Sequence, residues 1–370
     1  MKRIAIIGAT EFQLPLIIKA KQSGYETFVY AWECGDVGEA AADVFVPISV
    51  IEKEKIYEHC LANNIDTAVS IGSDITILTV NYLLRKFNKP CNSELCDETA
   101  TNKYKMRKAL AGSGIPCPEF RCFDKIPDRS ELEGMCFPLI IKPTDRSGSR
   151  GIYKVNDYEE LKEAIPLSIH NSFEQKIIVE EFIDGPEYSC ECISFNGEHK
   201  ALTLTKKHTT GSPNYIETGH DEPSDVKEEY LDKIYSQIYR ALDALNIQYG
   251  ASHAELKING DSANIIEIGP RMGGDCIGST LVPLSTGFDF MKMVIDIAEG
   301  KQPDFTVGEH FDKAHIRFIM EADDIRKMNE IKNDNRFQLI ECHLENNDIA
   351  ATVTNSTDRH GYYIYVEKKI

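Results

Sequence analysis

Two periods of apolar and polar positions divide this chain. In its first part, apolar runs of strand length at 3–7, 27–30, 44–48 and 67–71 are separated by stretches with helical spacing at 14–22, 52–63 and 75–87. Strands separated by helices of this length predict a parallel sheet covered on both faces. The turn after the first run is Gly8-Ala9-Thr10, and the Glu11 and Phe12 that follow break the GxGxxG spacing of a dinucleotide fingerprint.

The pattern changes near residue 95. A charged amphipathic helix is expected over 97–112, after which Gly114, Pro116 and Pro118 break the chain. A strand over 137–142 leads into the polar turn TDRSGSRG, followed by a helix over 157–165 and a strand over 176–181. Asn196-Gly197 between apolar runs at 188–195 and 200–205 is a strong hairpin signal. Beyond a long helix over 225–245, a second hairpin pairs 250–258 with 263–268 around NGDS, and a helix follows over 288–299. The tail carries strands at 315–319, 349–353 and 362–366. The expected architecture is α/β: an open parallel sheet at 1–95, a two-lobed α+β unit at 96–305 with its smaller lobe near 115–185, and a small mixed closing region at 306–370.

Composition narrows the partners. The chain has 41 Lys+Arg against 59 Asp+Glu, a net charge of -18, which disfavours nucleic acid. Any phosphate must then be held by a few local cations and backbone N–H groups. No stretch approaches membrane-span length, and the first residues run straight into a strand, so neither a membrane partner nor a signal peptide is expected and the location is cytoplasmic. The eleven cysteines lack zinc-knuckle spacing and read as reduced thiols, with Cys190 and Cys192 on one strand face.

Three segments carry candidate chemistry. The loop 146–151 contains Ser147, Gly148, Ser149 and Gly151 after a strand that ends in Lys142. Small residues let a backbone approach phosphate oxygens, and a lysine at the strand end adds a point charge; a plain surface turn is the competing reading. In Glu180-Glu181-Phe182-Ile183-Asp184-Gly185-Pro186-Glu187, Glu180 can accept from an exocyclic amine, the backbone beyond it can meet the edge of a flat ring, and Glu187 can accept from both ribose hydroxyls; a solvated acidic loop competes. The third segment is the most specific. Glu255 lies in HAELK and Glu267 in IIEI, flanked by three isoleucines. A turn centred on Asp261 sets the two carboxylates opposite each other, where like charges destabilise a hairpin unless a divalent cation lies between them. Oxygen ligands favour magnesium or manganese bound with phosphate. A register shifted by one residue would instead put the two on opposite faces. Arg271 follows in PRMGG, placed to grip a carboxylate or acyl phosphate with its fork.

In order and spacing, NKYKMR at 102–107, FPLIIKPTDRSGSRGI at 137–152, VEEFIDGPEYS at 179–189, and HAELK with IIEIGPRMGG at 253–274 resemble the ATP-grasp superfamily, over about residues 1–300. The resemblance implies an ATP-dependent ligase that forms a carbon–nitrogen bond through an acyl phosphate, with ATP and Mg2+ (or Mn2+) bound. It implies that Lys103 and Lys142 reach the phosphates, that 147–151 closes over them, and that Glu180 lies near the adenine amine. The backbones of Glu181 and Ile183 would read the ring, Glu187 would bind ribose, Glu255 and Glu267 would bind metal, and Arg271 would sit beside the acyl phosphate. Gly269 departs from the Asn usual in the family two residues after the second metal glutamate, and this GPRMGG variant points toward an amino acid or small carboxylic acid as substrate. His253, sharing the face of Glu255, and His208 in KKHTTGSPN are weaker candidates near the amine, and Gly72-Ser73-Asp74 is a candidate substrate loop.

Other readings keep part of this chemistry: an ATP-grasp carboxylase, a purine-pathway or carbamoyl-phosphate-synthase-like ligase, or a nucleotide-binding regulatory protein without turnover, which only Gly269 favours. The partners expected are a small carboxylate and an amine, and a homodimer is the default assembly.

Overall fold

The computed structural model describes residues 1–146, 148, 150–211, 215–344, 349 and 352–368. β1 (Lys2–Ile7), β2 (Tyr25–Tyr30), β3 (Val44–Val46) and β4 (Ala68–Val69) pair in parallel in the order β3-β2-β1-β4. Ile4, Ala5, Ile6 and Ile7 are all 0% exposed, so both faces of β1 are covered, as a parallel sheet requires. The connections are α1 (Leu14–Gln22), α2 (Val37–Ala41) and α3 (Lys53–Ala62), with α4 (Asp74–Lys86) leaving β4. β1 lies between β2 and β4, so the loops after β1 and β4 face each other across a crevice at the strand ends. Gln13 ties them together: its side-chain oxygen accepts from Thr10, and its amide donates to the Ile71 carbonyl at 2.7 Å.

The single helix expected over 97–112 is two helices, α5 (Glu94–Thr101) and α6 (Lys103–Gly112). Asn102 between them is extended, and its side chain accepts from the Lys105 N–H at 3.0 Å, so the residue stops one helix and caps the next. The break places Lys103 in the first turn of α6, where its N–H donates to the Thr144 carbonyl at 2.8 Å.

β5 (Phe120–Phe123), β6 (Leu139–Pro143), β7 (Tyr153–Val155) and β8 (Ile177–Glu181) form an antiparallel sheet in the order β5-β8-β6-β7. α7 (Tyr158–Asn171) packs Leu161, Ala164 and Ile165 against Leu139, Ile141, Ile177 and Val179 of this sheet. The spacing predicts an end at 165, but the helix continues through Pro166 to Asn171.

β9 (Glu187–Phe195), β10 (Glu198–Thr209), β11 (Glu217–Glu222), β12 (Gly250–Asn259), β13 (Ser262–Gly269), β14 (Ala314–Phe318), β15 (Phe337–Leu344) and β16 (Gly361–Glu367) form one antiparallel sheet in the order β13-β12-β9-β10-β11-β14-β16-β15. β9 and β10 close on Phe195 opposite Glu198, a two-residue turn at Asn196-Gly197. α8 (Glu228–Ala244) lays Ile234, Ile238, Ala241 and Leu242 on this sheet. A π-turn over Ile277–Leu281 leads into α9 (Val282–Thr286) and then α10 (Phe290–Ala298). Phe290, Met293 and Ile295 of α10 share one core with β1, β2, Ile193 and Ala251, which joins the N-terminal sheet to the large one. α11 (Ala322–Asn333) covers the C-terminal strands, which extend the large sheet beyond β11.

Two strands differ from expectation. Residues 349, 352 and 353 are not strand; the edge strand is β15, hidden in the sequence because a register shift between Leu339 and Glu341 breaks its alternation. β11, with the sequence ETGHDE, has no strand-like pattern and is held by pairing with β10 and β14. No helix among the described residues is long and apolar enough to cross a membrane.

Glu222 ends β11 wholly buried, accepting from Thr205 Oγ1 and Ser285 Oγ, each at 2.7 Å. Burial, with a smaller contribution from Glu191, raises its pKa from 4.5 to about 8. Between those values the folded chain holds a proton that the unfolded chain releases, so stability falls as pH rises through the window. The melting temperature is expected to decline from pH 5 to pH 8, and Glu222→Gln to flatten that decline. An unchanged slope in thermal melts of the variant would locate the dependence elsewhere.

Candidate functional site

The site begins at a register shift. Asn259 faces Ser262 and Leu256 faces Ile265, so the turn falls between Gly260 and Asp261 rather than on Asp261. In that register Glu255 would face Ile266, with the Glu267 side chain on the other side of the sheet. A β-bulge at Ile266 adds one residue to β13, and Glu255 faces Glu267. The opposition expected from the sequence is present, but the bulge supplies it. The Ile266 carbonyl accepts from Arg107 Nη2 at 2.5 Å.

Each carboxylate meets a lysine from elsewhere in the fold. Lys103 Nζ lies 2.6 Å from Glu267 and donates to the Arg146 carbonyl at 2.9 Å, so it links the metal-candidate hairpin to the loop 146–151. Lys207 of β10 lies 2.7 Å from Glu255. His253 Nε2 is 3.5 Å from Glu255, and its Nδ1 bonds the fully buried Glu191. Burial opposes charge on all three groups, yet their mutual contacts raise the pKa of Lys207 and of His253 and lower that of Glu255. Among the described residues no three His, Cys, Asp or Glu side chains form a metal cage. The donor set, two carboxylates on one face, suits a hard cation that completes its shell with phosphate and water.

Behind the pair lies a second buried group. Glu180, 2% exposed, is 2.5 Å from Arg107 and 2.6 Å from Lys142. Burial lowers the Lys142 pKa, with the neighbouring Arg107 and Lys103 adding to the effect. Burial works against the Glu180 charge, but Arg107 and Lys142 hold its pKa below the ordinary value. Three cations (Lys103, Arg107, Lys142) thus share two carboxylates (Glu180, Glu267) inside a chain of net charge -18. The carboxylate of Glu180 is committed to these cations, so it places Lys142 rather than turning outward to a ring amine. Arg107 closes the NKYKMR segment, but the sequence assigned it no role.

The remaining candidates surround these groups. Gly148 is exposed and Gly151 is half-buried at the far end of the loop, while Ser147 and Ser149 lie outside the described residues. The N–H of Glu181 donates to the Glu119 carbonyl at 3.0 Å, and Ile183 lies half-buried just past β8. Glu187 is 3.4 Å from Lys257. Arg271 donates from Nε to Asp74 at 2.8 Å, with Nη2 at 3.4 Å, so the candidate loop after β4 and the candidate arginine meet. His208 stands apart, sharing Asp221 with His315 and Arg317.

Two glycines are dictated by close approach. A Cβ on Gly273 would come within 2.5 Å of Glu191 and 2.7 Å of His253, and its N–H donates to Glu191 at 2.9 Å. A Cβ on Gly269 would lie 3.0 Å from Asp74 and 3.2 Å from Arg271. The Asp74–Arg271 pair fills the space that a side chain at 269 would take.

Residues 135–279 match the model of an ATP-grasp domain, a stretch that holds Lys142, Glu180, Glu187, Glu255, Glu267 and Arg271 but not Lys103. Over 322 residues the chain is 24% identical to a phosphoribosylamine–glycine ligase of Caldanaerobacter subterraneus, spanning 81% of this chain and 75% of that protein. Over 239 residues it is 28% identical to an alanine–anticapsin ligase of Bacillus subtilis, spanning 57% and 49%. The crystal structure of an L-amino acid ligase from Bacillus licheniformis is similar in fold, with a TM-score of 0.81 at 23% identity over 100% of this chain and 94% of that one. The chain spans about half the length of several curated relatives it matches.

Arg107→Met leaves Glu180 with a single cation and the Ile266 carbonyl without its donor. A loss of about 3 kcal/mol is expected, the order seen when one partner of a buried pair is removed. Arg107→Met/Glu180→Gln should recover part of it. Urea unfolding of both variants measures the effect, and equal losses would show that the pairing is not the cause.

Proposed function

The chain carries an ATP-grasp domain over residues 135–279, and from that premise we propose that it is an ATP-dependent ligase that activates a carboxylate as an acyl phosphate and joins it to an amine. The observation that carries this reading is the convergence of the buried Lys103 and Lys142 on an opposed carboxylate pair, with Arg271 four residues beyond the second carboxylate. Such a cluster suits a polyphosphate that arrives with a divalent cation. Relatives named for amino-acid ligation support an amino acid as one substrate.

On this reading Lys142, aimed by Glu180, and Lys103 take phosphate oxygens. The loop 146–151 is tied to Lys103 through the Arg146 carbonyl, so phosphate binding and loop position are coupled. Glu255 and Glu267 would hold magnesium, which when bound offsets charge on the β- and γ-phosphates. The substrate carboxylate oxygen bonds the γ-phosphorus as the bond to ADP breaks. The neutral amine nitrogen then bonds the acyl carbon, the carbon–oxygen bond to phosphate breaks, and the amine proton leaves with the phosphate. Arg271 is braced by Asp74 through Nε and Nη2 and has only a long contact, 3.4 Å to the Met272 carbonyl, on Nη1, which leaves that edge for the carboxylate or the developing oxyanion. The backbones of Glu181 and Ile183 take the adenine edge, and Glu187 the ribose.

A purine-pathway ligase is the second reading, supported by the longer match to phosphoribosylamine–glycine ligase. ADP and phosphate release with magnesium-ATP against pooled amino acids, small carboxylic acids, and glycine with phosphoribosylamine, with mass spectrometry of products, separates the two. The expected product is the sum of acid and amine less one water. Glu267→Gln and Lys142→Met are expected to lower kcat by roughly 100-fold or more, and chelation of magnesium to abolish turnover. ADP release with no condensed product from any pair would count against ligation.

A further inference from the structure

A cavity of about 650 Å³ opens between α11 and the strands β14 and β16, on the face of the large sheet turned away from the carboxylate pair. The registers set that face. Lys207, which holds Glu255, pairs with His220, and His220 pairs with Ile316. Side chains alternate along a strand, so Arg317 points to the opposite face. Arg317 pairs in turn with Tyr363, and its neighbour-but-one His315 with Tyr365, which brings both tyrosines to the same side as Arg317. All three line the cavity.

The two tyrosine rings are held in place. Tyr365 stacks on His315 with 4.6 Å between centroids and meets Phe337 edge-on at 5.4 Å, and Tyr363 stacks on Tyr365 at 6.0 Å. Tyr363 is 3% exposed and Tyr365 7% exposed, yet among the described residues neither hydroxyl has a hydrogen-bond partner. A phenol this deeply packed ordinarily finds one. Burial pushes the Tyr363 pKa up to about 12 and raises that of Tyr365, so each keeps a proton to donate. Thr218 of β11 brings a third lining hydroxyl with no partner among the described residues.

The charges around the cavity are, by contrast, already matched. Arg317 lies 2.6 Å from Asp221, Lys327 3.0 Å from Asp324, and Arg336 2.7 Å from Asp334. Glu330 lies 2.5 Å from Arg326. Glu321, the lining charge with no ion pair among the described residues, is exposed at the start of α11. A charged ligand would have to break one of these pairs, whereas a neutral one finds the hydroxyls free. Phe337, Ile331 and Met320 add apolar wall for carbon and ring faces. The volume falls within the range of about 300–1,000 Å³ usual for small-molecule sites built from apolar walls and a few placed polar groups.

We propose that this cavity binds a neutral polyhydroxyl ligand of sugar or nucleoside size, with the Tyr363 and Tyr365 hydroxyls as its fixed hydrogen-bond partners. The shared chemistry is a ring that carries several hydroxyls and no net charge. This site is separate from the carboxylate pair and does not depend on the ligase reading.

Binding is measured by thermal melts and titration calorimetry of the full chain saturated with MgADP, which keeps nucleosides from an ATP site. The probes are sugar alcohols, mono- and disaccharides and unphosphorylated nucleosides, each beside its phosphorylated counterpart. At least one neutral probe is expected to bind and raise the melting temperature, and its phosphate to bind less tightly. Tyr363→Phe and Tyr365→Phe should each weaken that probe by about fivefold, leaving the melting temperature of the free chain and the MgADP shift unchanged. A saccharide that binds assigns a sugar site; binding by nucleosides alone assigns a nucleoside site. The proposal is overturned if no probe binds at millimolar concentration, if binding survives both phenylalanine variants, or if the phosphorylated probes bind more tightly. A lower melting temperature of the free chain in both variants would also overturn it, because the hydroxyls would then be serving the fold.

Discussion

One inserted residue organises the candidate site. Without the bulge at Ile266, the hairpin register set by the turn at Gly260-Asp261 would send Glu255 and Glu267 to opposite faces. A bulge also frees a carbonyl from the ladder, and a free buried carbonyl must find a donor. Arg107 is that donor, and the same guanidinium holds Glu180, which in turn holds Lys142. Glu267, turned inward by the bulge, meets Lys103. Lys103, Lys142 and the carboxylate pair are thus fixed by one irregularity in one strand.

These pairings also explain how a chain of net charge -18 can offer a site to a polyanion. The acidic surplus lies over the whole surface, while three buried cations share two carboxylates at the site. Burial makes each of these charges expensive alone, so none is present without a partner. The lysines that face Glu255 and Glu267 neutralise the pair, and a divalent cation with phosphate would supply both a counter-charge for the acids and new partners for the lysines.

Much of this was legible in the sequence because it follows from periodicity and from buried acids. The parallel sheet and both hairpins follow from apolar spacing, whereas the opposition of Glu255 with Glu267, expected from a turn centred on Asp261, is delivered by a bulge that the spacing does not show. The illegible parts depend on tertiary contact. Asn102 looks like any helical polar residue until its side chain caps α6. β11 is a strand only because β10 and β14 flank it, and its acids, Glu217, Asp221 and Glu222, are each satisfied by residues distant in sequence. Glu191 and Lys207 carry no local signal, although Glu191 stands in the interior of β9, buried between Cys190 and Cys192, where an acid invites the question of its partner. The edge strand β15 was lost because its own bulge erased the period of two.

Gly269 shows how a departure in sequence acquires a physical cause. Read alone, the missing side chain suggests a weakened metal site. In the fold, the space beside Gly269 is taken by Arg271 and Asp74, and a Cβ at 269 would press on both. Asp74 comes from the N-terminal sheet and Arg271 from the large one, so this contact is also where the crevice after β4 joins the end of β13. A side chain at 269 would have to displace that ion pair or crowd it. Glycine is therefore compatible with an intact site, because it permits the N-terminal crevice to brace Arg271 through Asp74.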